Sequence, residues 1–394
     1  MNFDTFKFHP SVMAGVHALG YTTPTPIQLK AIPPIMQGRD VIGLAQTGTG
    51  KTAAFVLPIL ERLRKTEGRR VRALIISPTR ELAEQTCEVI NGLGAQTGLQ
   101  CIAVYGGLKM EQQTRRLQGG VEIIVACPGR LLDHLWKGTI NLSQLEILVI
   151  DEADRMFDMG FLPDIKNILQ CIVHRYQTLL FSATMPAGIK RLVNEILYDP
   201  VTVQVDRQLP AKTVSHTLYP VEQHLKTDLL KEILRKTKTE SVLVFTRTKH
   251  RAERVAEQLV RAGYRVRSLQ GNLPQNRREA ALEGFRTGDV KILVATDIAS
   301  RGLDVLSISH IINYDMPGST DDYIHRIGRT GRAEKTGDAL TFVTRADEDQ
   351  VRALEKLLDT SLERLTLQDF NYARPAPARE LHAARPSRQR MLRR

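Results

Sequence analysis

Residues 41–52 read Val-Ile-Gly-Leu-Ala-Gln-Thr-Gly-Thr-Gly-Lys-Thr, a short apolar run, a glycine-rich turn, and a Lys-Thr pair opening a helical stretch. Strand, turn and helix in that order are the unit from which parallel α/β sheets are built. Glycines let backbone N–H groups close on phosphate oxygens, and the helix start adds the positive end of its dipole. The cradle is Ala45, Gln46, Thr47, Gly48, Thr49 and Gly50. Lys51 is placed to reach the β- and γ-phosphates and the Thr52 hydroxyl to ligate Mg²⁺. The general phosphate-loop pattern has Gly where this chain has Ala45, so its first glycine is missing. A second acidic motif, Asp151-Glu152-Ala153-Asp154, follows the apolar run Ile147–Ile150. A carboxylate at a strand end, Asp151, can hold the metal, and Glu152 can orient and deprotonate an attacking water. The pair of motifs reads as binding and hydrolysis of a nucleoside triphosphate with Mg²⁺.

Short apolar runs alternate with longer amphipathic stretches, twice over. The first half offers Val41–Ala45, Ala73–Ser77, Ile102–Tyr105, Ile123–Ala126, Ile147–Ile150 and Thr178–Ser182. Near-continuous Val/Ile/Leu runs of this kind suit parallel strands buried on both faces. Helical spacing between them, as over Leu82–Ile90 and Met185–Leu197, supports right-handed crossovers. The second half repeats the pattern with Ser241–Phe245, Arg265–Leu269, Ile292–Ala295, His310–Asn313 and Ala339–Val343. It has no phosphate loop of its own. The polar, proline-containing stretch Asp206–Lys212 reads as a linker. The organisation predicted is a nucleotide-binding domain over 1–206, a linker over 207–216, a second α/β domain over 217–362, and a tail over 363–394.

Composition agrees. The length of 394 residues suggests two or three domains, and a formal charge of +12 suits a polyanionic partner such as nucleic acid. The four cysteines show no metal-binding spacing and read as reduced thiols. The N-terminus lacks a signal pattern, and no apolar run approaches the ~20 residues that span a bilayer. These features predict a cytoplasmic protein without a membrane partner.

The motifs also carry a family resemblance. Asp151-Glu152-Ala153-Asp154 resembles the signature of the DEAD-box RNA helicases. Gly20-Tyr21-Thr22-Thr23-Pro24-Thr25-Pro26-Ile27-Gln28 resembles that family's adenine-reading Q motif, with Phe3 as the upstream aromatic. Pro78-Thr79-Arg80-Glu81-Leu82-Ala83, Gly106-Gly107, Pro128-Gly129-Arg130 and Ser182-Ala183-Thr184 follow in the family's order. Val244–Arg247, Gln275–Arg278, Ala295-Thr296-Asp297 through Arg301–Asp304, and His325-Arg326-Ile327-Gly328-Arg329-Thr330-Gly331-Arg332 continue it. The resemblance covers about residues 1–345. The run Val244–His250 and the short N-terminal extension look most like the bacterial RhlE-type branch.

What the resemblance implies is specific. Two tandem RecA-like domains face each other with ATP between them. Tyr21 stacks on adenine, and Gln28 reads it. A Gln amide suits this because it offers a donor and an acceptor side by side. Lys51, Thr52 and Asp151 hold phosphates and metal, and Gly302 and Asp304 reach the nucleotide from the second domain. Arg329 and Arg332 act as arginine fingers. Ser182, Thr184, Asp154 and His325 couple nucleotide state to RNA. Thr79, Arg80, Gly107, Gly129, Arg130, Thr246, Arg247, Gln275, Arg278 and Thr296 line a single RNA strand. Hydroxyls, guanidiniums and glycine N–H groups suit phosphate and ribose and read bases poorly. Ribosome-assembly or RNA-decay proteins are the partners implied.

Two positions depart from the family pattern, Cys127 in place of Thr and Gln270 in place of His. The tail departs in composition: Arg374–Arg394 holds seven arginines against one acid, Glu380. Such a segment is predicted to be disordered and to tether structured RNA. The function predicted is an ATP-dependent RNA helicase separating short duplexes or remodelling RNA–protein complexes. The alternatives are an ATP-gated RNA clamp or annealing factor, and a DNA-directed helicase.

Overall fold

Each apolar run becomes a strand, and burial on two faces is the reason. The computed structural model describes residues 2–46, 48–64, 68–174, 176–205, 214–237, 240–271, 273–297, 308–328, 330 and 337–376. The chain divides into two units, Met1–Gln208 and Leu209–Arg394. In the first, β1 (Val41–Leu44), β2 (Ala73–Ile76), β3 (Cys101–Val104), β4 (Ile123–Ala126), β5 (Ile147–Ile150), β6 (Gln177–Ser182) and β7 (Val201–Gln204) form one sheet. Its order is β3-β4-β2-β5-β6-β1-β7, and its pairings are parallel. Successive strand residues point to opposite faces, so Ala73 and Ile75 enter one apolar core while Leu74 and Ile76 enter the other.

The second unit is built alike from β8 (Val214–Pro220), β9 (Val242–Phe245), β10 (Val266–Leu269), β11 (Ile292–Ala295), β12 (His310–Asn313), β13 (Gly337–Val343) and β14 (Glu363–Arg364). Its order, β10-β11-β9-β12-β13-β8-β14, repeats that of the first sheet strand for strand. Val242 and Val244 face one core, and Leu243 and Phe245 the other. Two tandem parallel α/β units are what the sequence predicted. β8 is the counterpart of β1, and the residues after it, Val221-Glu222-Gln223, contain no glycine turn.

Two predicted boundaries need correction. The linker was predicted to extend to 216, but Val214, Ser215 and His216 already pair with Gly337, Asp338 and Ala339 in β13. The tail was predicted from 363, but Glu363 and Arg364 pair with β8 as an edge strand. Beyond them Leu367, Phe370 and Tyr372 pack on the second unit's core. The Phe370 and Tyr372 rings lie 4.8 Å apart, and the Leu367 N–H donates to the Tyr372 hydroxyl at 3.0 Å. Arg374, counted with the tail, ion-pairs with Asp228. Strands β7, β8 and β14 escaped sequence reading because they lie at or next to a sheet edge, where polar residues interrupt the apolar run. Residues 377–394, where most of the predicted basic tail falls, are outside the described residues.

Helix Pro10–Ala18 packs on helix Arg80–Leu93 through Gly15, where an added Cβ would lie 2.0 Å from the Leu93 carbonyl oxygen. Backbone cannot swing aside as a side chain does. Gly15→Ala is therefore expected to destabilise the first unit by about 1–3 kcal/mol. The measurement is the urea midpoint at unchanged m-value. An unshifted midpoint would show that this helix pair can part without cost.

Candidate nucleotide and RNA sites

The sharp turn after β1 depends on two left-handed glycines, Gly48 at φ 86° and Gly50 at φ 91°. Only glycine adopts such angles freely. Gly50 leads directly into helix Lys51–Leu63. A Cβ on Gly50 would sit 2.6 Å from Gln28 Nε2, so the loop also needs glycine for its close approach to the Q motif. Gln28 is buried and bridges the two segments. Its Oε1 accepts from the Thr25 backbone N–H at 2.9 Å, and its Nε2 donates to the Gly50 carbonyl at 3.0 Å. The Phe3 and Tyr21 rings stack at 6.3 Å with 29° between planes. Lys51 is buried and donates to the Ala45 carbonyl at 2.9 Å. The Thr49 hydroxyl donates to the Gln46 carbonyl at 2.7 Å. Thr47 lies outside the described residues.

Beside β1, strand β6 carries Ser182, and beyond it β5 leads directly into Asp151. The Ala45 N–H donates to the Ser182 carbonyl at 3.0 Å, tying the loop's first residue to β6. A cleft at these strand ends is lined by Ala45, Gln46, Ala183, Thr184 and Gln204 among others. Burial pushes the Asp151 carboxyl up to about 6, against the pull of nearby Lys51. A buried carboxylate at a strand end is the kind of hard oxygen ligand a divalent cation takes. Mg²⁺ characteristically takes only one or two carboxylates and keeps several waters.

Glu152 occupies the left-handed region at φ 52°, a strained conformation for a non-glycine residue. Its carboxylate ion-pairs with Arg155, and both are buried. Asp154 is held more tightly still. Its Oδ2 accepts from the Ala183 N–H at 3.1 Å, the Thr184 N–H at 2.9 Å and the Thr184 hydroxyl at 3.1 Å. Its own N–H donates to Ser182 Oγ at 3.2 Å, and that hydroxyl donates to the Thr184 carbonyl at 2.7 Å. Three of the predicted coupling residues therefore form one hydrogen-bonded knot. The fourth, His325, is half-buried on helix Thr320–Ile327 of the other unit.

The predicted RNA residues of the first unit occupy the ends of β2, β4 and β3. Thr79 caps helix Arg80–Leu93, accepting from the Leu82 N–H at 3.4 Å. The Arg80 guanidinium lies against Gly107, where a Cβ would be 2.1 Å from Nη1. Arg130 Nη1 donates to the Leu108 carbonyl at 2.9 Å, and Gly129 is exposed in the first turn of helix Pro128–Trp136. In the second unit the same topological positions recur. Thr246 and exposed Arg247 follow β9, Thr296 follows β11, and helix Gln275–Thr287 with Gln275 and Arg278 comes after β10.

Cys127 precedes helix Pro128–Trp136 as its N-cap and makes no side-chain cap bond. Burial pushes its thiol up to about 12. A Thr there could accept a backbone N–H, typically worth ~1 kcal/mol, while Pro128 at the first helical position eases the loss. Gln270 is buried after β10. Gly302, Asp304, Arg329 and Arg332 lie outside the described residues.

Sequence reading missed a second knot. Asp315 Oδ2 accepts from the Arg247 N–H at 2.9 Å and its Oδ1 from Arg251 Nη1 at 2.6 Å, while the Asp315 carbonyl accepts from Arg326 Nη1 at 2.8 Å. Arg326 also forks onto Asp297 at 2.6 and 2.8 Å, and its guanidinium lies 4.9 Å from the Phe245 ring. Buried Lys226 donates to the Tyr314 carbonyl at 3.0 Å and lies 3.7 Å from Asp315. Burial lowers its pKa, opposed by Asp315. Arg247, Asp297 and Arg326 stand in family motifs, but nothing in the sequence joins them to Asp315.

Comparison with known proteins shows the family to which this fold belongs. A DEAD/DEAH box helicase model matches residues 25–192, and a helicase conserved C-terminal domain model matches 225–334. Over 371 residues the chain is 41% identical to the DEAD-box ATP-dependent RNA helicase RhpA of Helicobacter pylori, covering 94% of this chain and 75% of that one. It is 40% identical to the DEAD-box ATP-dependent RNA helicase CshA of Bacillus subtilis, covering 93% and 74%. Among solved structures, S. cerevisiae Dbp5 bound to RNA and ADP BeF3 superposes with a TM-score of 0.83 at 28% identity, covering 92% of this chain and 95% of that one. With both helicase models matched in order and such identity along nearly its whole length, this chain belongs to the DEAD-box ATP-dependent RNA helicases, enzymes that hydrolyse ATP.

Proposed function

We propose that the enzyme locally separates short RNA duplexes or remodels RNA–protein complexes, holding RNA by its backbone and hydrolysing ATP faster when RNA is bound. The observation that supports this most is the repeated topology. Equivalent strand ends carry hydroxyl and guanidinium groups in both units, while the phosphate loop and acidic motif belong to the first alone. One strand can thus be gripped twice and ATP once. In this reading Tyr21 and Gln28 recognise adenine, and Lys51 with the loop N–H groups binds phosphates. Thr52 and Asp151 hold Mg²⁺, which neutralises charge on the phosphates when bound. Glu152, oriented by Arg155, takes the proton of the attacking water. Arg329 and Arg332 complete the site from the second unit on closure, a contribution worth ~10³–10⁵ in rate for related NTPases. RNA drives closure by binding the closed form better. On the run Val244–His250 we place the chain in the RhlE-type branch, acting in the cytoplasm with ribosome-assembly or RNA-decay proteins. Among the described residues no helix is long and apolar enough to cross a membrane.

The deciding experiment is strand displacement on RNA and DNA duplexes, with ATP or a non-hydrolysable analogue. RNA duplexes should separate with ATP, and single-stranded RNA should stimulate ATPase above DNA. Glu152→Gln should keep ATP and RNA bound but slow hydrolysis by at least ~10²-fold. Binding without displacement would favour an RNA clamp, and equal stimulation by DNA would remove ribose recognition.

Asp154→Ala strips the half-buried Ala183 and Thr184 N–H groups of their shared acceptor, a loss of about 1 kcal/mol. It is expected to retain ATP binding while RNA stimulation falls, seen as a flattened ATPase response to RNA. Full stimulation would mean the knot only holds the fold.

Gln28→Ala should narrow the preference for ATP over GTP in competition binding, because the donor–acceptor pair is gone. Unchanged discrimination removes Gln28 from base reading.

A further inference from the structure

The chain has one tryptophan, Trp136, and it is 70% exposed. A single exposed apolar side chain is ordinary on a protein surface. Its position is what gives this one meaning. Helix Pro128–Trp136 buries Leu131, Leu132 and His134 and turns Gly129, Asp133 and Trp136 to solvent. Trp136 comes seven residues after Gly129, two helical turns and about 10 Å along the same face.

The loop after Gly107 runs beside that face and is fastened to it at both ends. Arg130 Nη1 donates to the Leu108 carbonyl at 2.9 Å, and Lys137 Nζ lies 3.5 Å from the Met110 sulfur. Lys109, Arg130 and Lys137 make this strip positive, and its one helix-face acid, Asp133, is paired with Arg130 at 3.4 Å. Cationic side chains along an exposed aromatic plane suit single-stranded nucleic acid, whose bases stack while phosphates meet the charge.

We propose that Trp136 is a stacking platform for a nucleobase of single-stranded RNA flanking the nucleotides held at Gly107, Gly129 and Arg130. The proposal rests on the reading of those residues as an RNA contact and extends it. Stacking of this kind tolerates any base, so the platform adds grip without sequence preference, and only to RNA long enough to reach it.

Because Trp136 is the sole indole, its fluorescence reports the site directly. Full-length protein is titrated with end-labelled oligouridine of minimal binding length, and with the same RNA extended on its 5′ or its 3′ side. Anisotropy of the label and tryptophan emission are read together. One extension, and not the other, should quench emission and tighten binding. Trp136→Ala should cancel that gain, weakening the extended RNA by about five- to tenfold, and Trp136→Phe should restore most of it. Extended RNA that binds with unchanged emission, or binds Trp136→Ala equally well, overturns the platform while leaving the RNA face intact. A surface that instead takes a protein would give that same result. Absence of any anisotropy change with any RNA would sink the underlying reading instead.

Discussion

Parallel pairing of β6 between β1 and β5 is the constraint on which the chemistry depends. In a parallel sheet all C-terminal ends meet one edge, with neighbours ~4.8 Å apart. The register Leu44↔Ser182 on one side and Ile150↔Leu180 on the other sets the phosphate loop, Ser182 and Asp151 in one row. The Asp154 carboxylate then fastens the helix after β5 to the turn after β6 through three accepted bonds. Charged acceptors of this kind are stronger than neutral ones, and they offset the left-handed strain at Glu152, typically ~1–3 kcal/mol.

The second unit uses the same strand order with a different knot. Asp315 and Arg326 tie the ends of β9, β11 and β12 together, much as Asp154 ties β5 to β6. Buried charges are costly unless paired and fully hydrogen-bonded. Arg326 meets that condition with bonds to Asp297, Asn313 and the Asp315 carbonyl. Losing one partner therefore leaves a buried charge unmatched rather than merely deleting one bond. The backbone of Arg247, a proposed RNA contact, is set by that knot through its own N–H.

Much of the fold was legible because a strand buried on both faces must be apolar at every position, as Ile147–Ile150 and Val242–Phe245 are. β7, β8 and β14 were not, since edge positions let polar residues into the pattern: Thr202 and Gln204 in β7 are exposed. The phosphate loop was legible because its geometry demands glycine, and Gly48 and Gly50 do adopt left-handed angles. The bonds within the knots were not, because they join residues far apart in sequence, although the family resemblance groups Asp154, Ser182 and Thr184. Asp154 meets Thr184 thirty residues on, and Arg247 meets Asp315 sixty-eight on. Arg155 was nearer to hand, one turn after Glu152, where a helical ion pair is ordinary.

In its proposed role, Gln28 serves base and phosphate sites together. Its amide has two N–H donors and two acceptor lone pairs. One N–H is given to the Gly50 carbonyl and one lone pair to the Thr25 N–H. What those bonds leave is one donor and one acceptor side by side, the pair that adenine's N7 and N6 require. Supporting the loop and reading the base are therefore compatible rather than competing uses. The same bonds attach the amide to the phosphate loop through Gly50, so in the proposed role the base-reading edge and the loop are positioned together. In the proposed reading, base recognition and phosphate binding share one element, the Gln28 bond to Gly50 that holds the Q motif against the loop.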